Sequence, residues 1–399
     1  MSESPWVTHL GRALPPVEID PVHSLGSYVV EAQSGSEYLD LFGCQPRRAL
    51  GFNHPALRAS DGLLTSGQGV DCRWLVSPVC TQAVTRLMQQ ALAPDFSAVE
   101  FLESREAAVG FATQMVVHQH QGRSVGRQPQ VITFSGACHG RHGLAALLSD
   151  ATLVPWSCGL PPLDWPQLPS PTLTSMSQAQ QLAVIEQREL HAEKALAATI
   201  ARLGGAVAAV FVEPIQGAVG EHFFRSGFLQ TLRALADNHG FLLVFDETDC
   251  GFGMTGQLWD YQSHGVIPDV LVFGGRMGVS GVAFRDPTLR LPLAAAWGPT
   301  GLCGSLSDFW ALDRTLAVLA EDDLLTNARA VGGYLTKSLA ELQADHPELS
   351  GVRGRGLIAA FDLPDAEARD RLVTAGFEEH LLMAPAGVRS IRLRPTLDV

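Results

Sequence analysis

Three stretches of the chain are apolar at almost every position: "AVAAVFVEPI" (206–215), "FLLVFDE" (241–247) and "DVLVFGG" (269–275). A strand with one wet face alternates apolar and polar residues, so strands that do not alternate are buried on both faces. Between two of them, "GFLQTLRALADNHG" (227–240) has the helical period, with Ser226 placed as N-cap and Gly240 as terminator. "QVITFSG" and the short "AVEFLE" read as further strands, and "CTQAVTRLMQQALA" and "REAAVGFATQMVVHQH" as helices. Buried strands linked by helices predict an α/β fold built on a mainly parallel sheet. Residues 24–42 predict a hairpin around a Ser-Gly-Ser turn, 155–182 a long loop rich in Pro and Ser, and 305–345 helix. The end of the chain alternates short strands with a helix, as a small α+β domain does. The expected division is an N-terminal segment (1–55) that joins the small domain, a large α/β domain (56–300) and a C-terminal small domain (301–399).

In open α/β sheets, ligands bind beyond the carboxyl ends of the strands. Those ends are Ser135–Arg141, Glu213–Gly217, Asp246–Cys250 and Gly274–Ser280. The length of 399 residues, with 46% hydrophobic and 17% charged, suits a globular enzyme. A formal net charge of −13 argues against nucleic acid as partner. No apolar run is long enough to span a membrane. The first twenty residues lack a basic segment followed by an apolar one, so a cytoplasmic location is expected. The seven cysteines include no CxxC pair, which favours free thiols over a disulfide framework or a metal site. His118 and His120 stand two apart near a helix end with no carboxylate beside them, so no metal is expected there either. The 28 basic residues include two lysines, Lys194 and Lys337.

"VEPIQGAVGEHFF" and "FDETDCGFGMTGQLWDYQSHGVIPDVLVFGG" resemble the class III aminotransferases, pyridoxal phosphate enzymes of fold type I. "GSYVVEAQSGSEYLDLF", "GFNHPAL" and "GACHGRHG" extend the resemblance. "LDWPQL", "GRGLIAAFDLP" and "IRLRPTL" are similar to the L-lysine 6-aminotransferases in particular. The resemblance implies an aspartate aminotransferase-like large domain with a smaller α+β domain, and a homodimer with sites across its interface.

The resemblance also implies residues that this chain lacks. The Schiff-base lysine belongs at Gly275, and Arg276 beside it stays protonated and cannot take its place. Ser104, Arg105 and Glu106 fill the phosphate cradle, where the family has small residues. Cys138 replaces the aromatic residue that stacks on the cofactor ring. Thr248 and Asp249 follow Asp246-Glu247 where Val-Gln is usual, which gathers three carboxylates at one turn. Trp297 and Thr300, near the edge that a partner subunit would supply, stand at changed spacing. Other positions are kept: Asp246 for the ring nitrogen, Arg141 and Arg392 for carboxylates, and Glu213 as the acid that pairs with an arginine when a small substrate is absent.

These losses and retentions lead to the expectation of a chain that works without pyridoxal phosphate or any other cofactor. Asp246, Cys138, His139 and Asp249 would be its catalytic groups. Arg141, Glu213, Arg392 and Arg276 would bind a carboxylate-bearing small molecule. Two alternatives stand beside this: a pseudoenzyme that binds a metabolite or pairs with an active paralogue, and residual activity with pyridoxal phosphate held non-covalently.

Overall fold

The computed structural model describes residues 18–43, 48–58, 77–121, 127–154, 163–172, 178–289 and 304–399. Its centre is a seven-stranded sheet. The spatial order is Ala98–Leu102, Ser280–Phe284, Val270–Phe273, Leu242–Asp246, Val207–Val212, Gln130–Phe134 and Gln167–Leu168. Ser280–Phe284 runs antiparallel to both neighbours, and the remaining pairings are parallel.

Every residue of Val207–Val212 and Val270–Phe273 is buried, as their unbroken apolar sequence predicts. Alternate residues serve opposite layers. Val131, Phe211, Val244, Val270 and Val272 pack with Ala108, Val109, Ala112 and Met115 of the helix Arg105–Gln121. Ile132, Val210, Leu243, Phe245 and Leu271 pack with Phe228, Leu229 and Leu232 of the helix Ser226–His239.

Two local expectations change. The helix Ser226–His239 is entered from Arg225, and Ser226 is its first helical residue. The Ser226 hydroxyl bonds His264 Nδ1 at 2.9 Å instead of capping the helix. Gly240 ends it as expected, in the left-handed conformation with φ 73°. The stretch read as a loop to 182 gives way at Gln178 to a helix reaching Leu203. Its Gln, Ala and Leu content favours helix once the Pro and Ser cluster has passed. Gln167–Leu168 adds an edge strand to the sheet within the same stretch, and residues 155–162 and 173–177 lie outside the described part.

The C-terminal region forms an antiparallel sheet of Ser350–Arg355, Ile358–Asp362, Ser390–Leu393 and Ala384–Ala386. The N-terminal strands Ile19–Leu25, Tyr28–Glu31 and Glu37–Asp40 form another, completed by Leu381–Leu382 in parallel with the last of them. The N-terminal segment is therefore stitched to the C-terminal region. Among the described residues no helix is long and apolar enough to cross a membrane.

Phe211 is fully buried and meets the His139 ring edge-on, with centroids 5.9 Å apart. Phe211→Ala is expected to cost about 3–5 kcal/mol of stability, measured by denaturant unfolding against the unsubstituted chain.

Candidate functional site

Because the central strands run one way, their carboxyl ends meet along one edge of the sheet, and a cavity of about 540 Å³ opens there. Its wall includes Arg105, Glu106, Cys138, Arg141, Thr248 and Asp249 from the large sheet's side. Arg276, Arg392 and Arg394 face them, with Phe42 and Gly43 from the N-terminal segment.

The polar floor beneath is built from buried groups. Asp246 ends the strand Leu242–Asp246 and is 1% exposed. His139 Nδ1 lies 2.8 Å from its Oδ2, and the Thr248 hydroxyl and backbone N–H donate to Oδ1 at 2.7 and 3.1 Å. Both carboxylate oxygens are thus held by the protein, while His139 Nε2 is buried without a partner. The three carboxylates expected to crowd one turn are instead separated. Glu247 points away and accepts the N–H groups of Asp260 and Tyr261 at 2.5 and 2.8 Å. Asp249 turns into the cavity and meets Arg105 Nη1 at 2.6 Å.

This pairing alters the chemistry expected of Asp249. Burial pushes its carboxyl upward, but the guanidinium groups of Arg105, Arg394, Arg392 and Arg276 outweigh it and hold Asp249 well below the usual carboxylate range. The ionised carboxylate is therefore the favoured form at neutral pH. Cys138 moves the other way. Burial, aided by the Glu213 carboxyl, pushes its thiol up to about 11, so the expected nucleophile is protonated in the physiological range.

Glu213 departs from its expected arginine-paired role. It accepts the Cys138 N–H at 3.0 Å, and no arginine among the described residues lies within ion-pairing distance. Burial, with Asp246 and Asp249 nearby, raises its pKa well above the ordinary glutamate value. The arginine–glutamate pair of this cavity is Arg394 with Glu221, a fork with bonds of 2.7 and 2.6 Å. Sequence reasoning selected Arg392 and passed over Arg394. In an extended chain residues two apart share a face, so "IRLRP" already implied that both point the same way.

Arg276 is 9% exposed and donates to the carbonyls of Arg394 and Pro395 at 2.8 and 3.2 Å. It ties the glycine-rich turn to the C-terminal segment, and burial beside Arg394 lowers it to about 10. Arg392 and Arg141 have no carboxylate partner among the described residues, and Arg392 Nε is buried and unsatisfied. Ser104 accepts the N–H of Ala107 at 3.1 Å, which caps the helix that begins at Arg105. His120 binds the Gly205 carbonyl at 2.6 Å, and no cluster of three metal-ligating side chains occurs among the described residues. Trp297 and Thr300 lie outside the described residues.

A mainly parallel sheet buried on both faces, with a polar cavity at its strand ends beside a small α+β region, defines the fold type I transferase fold. The aminotransferase class-III family model matches residues 11–399, and the chain belongs to that family. It is 31% identical to L-lysine-epsilon aminotransferase of Mycobacterium tuberculosis over 96% of this chain and 88% of that one. It is 27% identical to the mitochondrial 4-aminobutyrate aminotransferase of Mus musculus over 94% and 80%. Lysine aminotransferase from M. tuberculosis in the internal aldimine form superposes with a TM-score of 0.88 at 29% identity, over 98% of this chain and 94% of that one.

These findings overturn the expectation of a protein without a cofactor. The chain belongs over residues 11–399 to a pyridoxal phosphate-dependent family and shares its fold with a relative solved in the internal aldimine form. The cavity's position and its charge suit that group. The cavity lies at the strand ends and arginines on its wall suit a phosphate dianion, while Asp246 lies beneath the lining with its oxygens bonded to His139 and Thr248. The described lining residues offer no amine for a covalent link. Gly275 adopts φ 61°, and both lysines are exposed on helices away from the cavity.

The thiolate fraction of Cys138 is expected to be about one in a thousand at pH 8, against roughly a quarter for a free cysteine. Its alkylation by iodoacetamide, followed by peptide mass spectrometry with Cys138→Ser as control, should stay slow through pH 8 and climb towards pH 11.

Proposed function

We propose that the protein binds a small amino- or keto-carboxylate in this cavity, and that pyridoxal phosphate is held there without a covalent bond to the chain. Arg392 carries the reading. It is a half-buried guanidinium facing the cavity, with an unsatisfied buried Nε and no carboxylate partner among the described residues. A desolvated cation gains most from a bidentate anion, and Arg141 stands on the same cavity wall. The relatives' names support an amino acid whose amine lies far from its carboxylate, since both L-lysine acted on at its ε position and 4-aminobutyrate fit that description.

Pyridoxal phosphate, when bound, supplies an electron sink for amines and keto acids. The chain's own groups do the rest. Arg141 and Arg392 fix the carboxylate, the His139–Asp246–Thr248 chain holds the floor rigid, and Phe42 narrows the cavity on the N-terminal segment's side. No described side chain on the wall duplicates the proton-shuttling amine of a lysine, and slow or absent transamination of the lysine-dependent type is part of the proposal. A homodimer is part of the proposal, and size-exclusion chromatography with light scattering tests it.

Arg392→Gln tests the binding reading. At 100 times its dissociation constant a bound amino acid should stabilise the unsubstituted chain by about 2.7 kcal/mol, and the variant should lose most of that stabilisation. An unchanged melting shift in the variant would remove Arg392 from the site.

Covalency has a separate readout. After incubation with pyridoxal phosphate, borohydride reduction and desalting, mass spectrometry should find no pyridoxyl adduct on the unsubstituted chain. Gly275→Lys should carry one. The left-handed backbone there costs about 1–2 kcal/mol for a residue with a side chain, so the variant is expected to be somewhat less stable. A reduced adduct on Lys194 or Lys337 of the unsubstituted chain would overturn the non-covalent reading.

A further inference from the structure

Ser226, His264, Asp260 and Arg355 form a polar chain outside the strand-end cavity, and none of the four lines it. His264 Nδ1 lies 2.9 Å from the Ser226 hydroxyl, and His264 Nε2 lies 3.0 Å from Asp260 Oδ2. Asp260 and His264 stand four residues apart in the short helix Asp260–His264, and both are buried. That helix is pinned at both ends. Glu247 accepts the N–H groups of Asp260 and Tyr261, and Gln230 donates to the His264 carbonyl at 2.9 Å. Arg355, at the end of the strand Ser350–Arg355, donates to Asp260 Oδ1 at 2.6 Å, with the same nitrogen 2.9 Å from His264 Nε2.

The buried carboxylate fixes where the ring carries its proton. Arg355 meets Oδ1, and Oδ2 has His264 Nε2 as its one hydrogen-bond partner among the described residues. A buried carboxylate oxygen without a donor is costly, so in the neutral ring the proton belongs on Nε2. Nδ1 is then an acceptor, and the Ser226 hydroxyl is its donor. A serine that donates to an imidazole held by a buried carboxylate is the arrangement of a nucleophile, its base and the group that orients the base. Helix capping does not account for it, because Ser226 is the first helical residue and its hydroxyl is turned to the ring.

The serine is also open to solvent. Ser226 is half-buried, Gly227 beside it is exposed, and a Cβ at Gly227 would meet nothing within 4 Å. The N–H groups of Gly227 and Phe228 have no acceptor among the described residues. They leave two donors in the helix's first turn for an oxygen that gains negative charge.

We propose that Ser226, His264 and Asp260 form a second reactive centre, independent of the cavity, that hydrolyses small activated esters. Ser226 is the nucleophile, His264 the base and Asp260 the positioning residue. Ser226 Oγ bonds the ester's carbonyl carbon while its proton moves to His264 Nδ1. The ester C–O bond then breaks, and that proton leaves on the departing alcohol oxygen. Water adds to the acyl carbon by the same route, which frees the carboxylic acid and returns the serine.

The test uses the full chain with two probes. Steady release of p-nitrophenol from p-nitrophenyl acetate reads turnover. Diisopropyl fluorophosphate, followed by peptide mass spectrometry, should place its phosphoryl group on Ser226. Ser226→Ala should abolish the adduct and slow release about tenfold or more, and His264→Gln should slow both by a similar factor. Urea midpoints show which variants fold. Ser226→Ala removes one half-buried hydroxyl, so it decides the outcome even where His264→Gln does not fold. Release that Ser226→Ala leaves unchanged, or no adduct on Ser226, overturns the proposal and leaves the carboxylate reading of the cavity untouched. Labelling of Ser226 at an unchanged rate in a folded His264→Gln also overturns it, because the serine would then need no base.

Discussion

The parallel pairing of Gln130–Phe134, Val207–Val212, Leu242–Asp246 and Val270–Phe273 is the constraint from which the cavity follows. Strands buried on both faces have no room for polar side chains along their length. The chain's functional groups are therefore displaced to the strand ends, and one direction of travel puts those ends side by side. Segments as distant in sequence as 104–106, 138–141, 246–249 and 274–276 then meet at one edge. The antiparallel C-terminal strands close the opposite wall, and Arg276, bonded to the carbonyls of Arg394 and Pro395, joins the two walls.

Within that frame the ionised groups are arranged by partner. Removing a charge from water is costly unless another charge or several hydrogen bonds compensate. Asp246 is satisfied by His139 and Thr248, Glu221 by the Arg394 fork, and Asp249 by Arg105. Glu213 has a single backbone donor and two carboxylates nearby, and its pKa rises. The same rule locates the less satisfied part of the cavity: Arg392 and Arg141 have no carboxylate within ion-pairing distance among the described residues, and Arg392 Nε has no hydrogen-bond partner.

The fold was legible because its signals are repetitive. Unbroken apolar runs marked the buried strands, and Gly240 marked a helix end through its left-handed backbone. The site was legible as a place and only partly as a set of contacts. Strand ends gave the cavity's position, but a carboxylate's direction depends on its neighbours in space. Glu247 turns away because the N–H groups of Asp260 and Tyr261 await it thirteen and fourteen residues on. Glu213 has no arginine within ion-pairing distance among the described residues, and the arginine fork nearby is held by Glu221, eight residues later. Cys138 looked reactive beside His139, yet His139 is turned to Asp246 and burial keeps the thiol protonated. The reading of a cofactor-free protein failed for a related reason. It weighed the missing lysine, altered cradle and missing ring as one loss, although covalent attachment and non-covalent binding make separate physical demands.

Those demands differ in what a side chain does with its proton. A lysine can be desolvated until its amine is free to attack and to carry protons. A guanidinium keeps its charge at any pH the protein experiences, so it cannot do either. The cavity has Gly275 in its turn and five arginines on its wall, and under the proposed reading its work is recognition. Recognition still needs the rigid floor and the strand-end geometry, which is why His139 and Asp246 remain buried and bonded to each other. It does not need the amine. On this account the retained arginines and the lost lysine are consistent: the scaffold's anion-binding electrostatics depend on the sheet and the C-terminal strands, and none of those contacts passes through position 275.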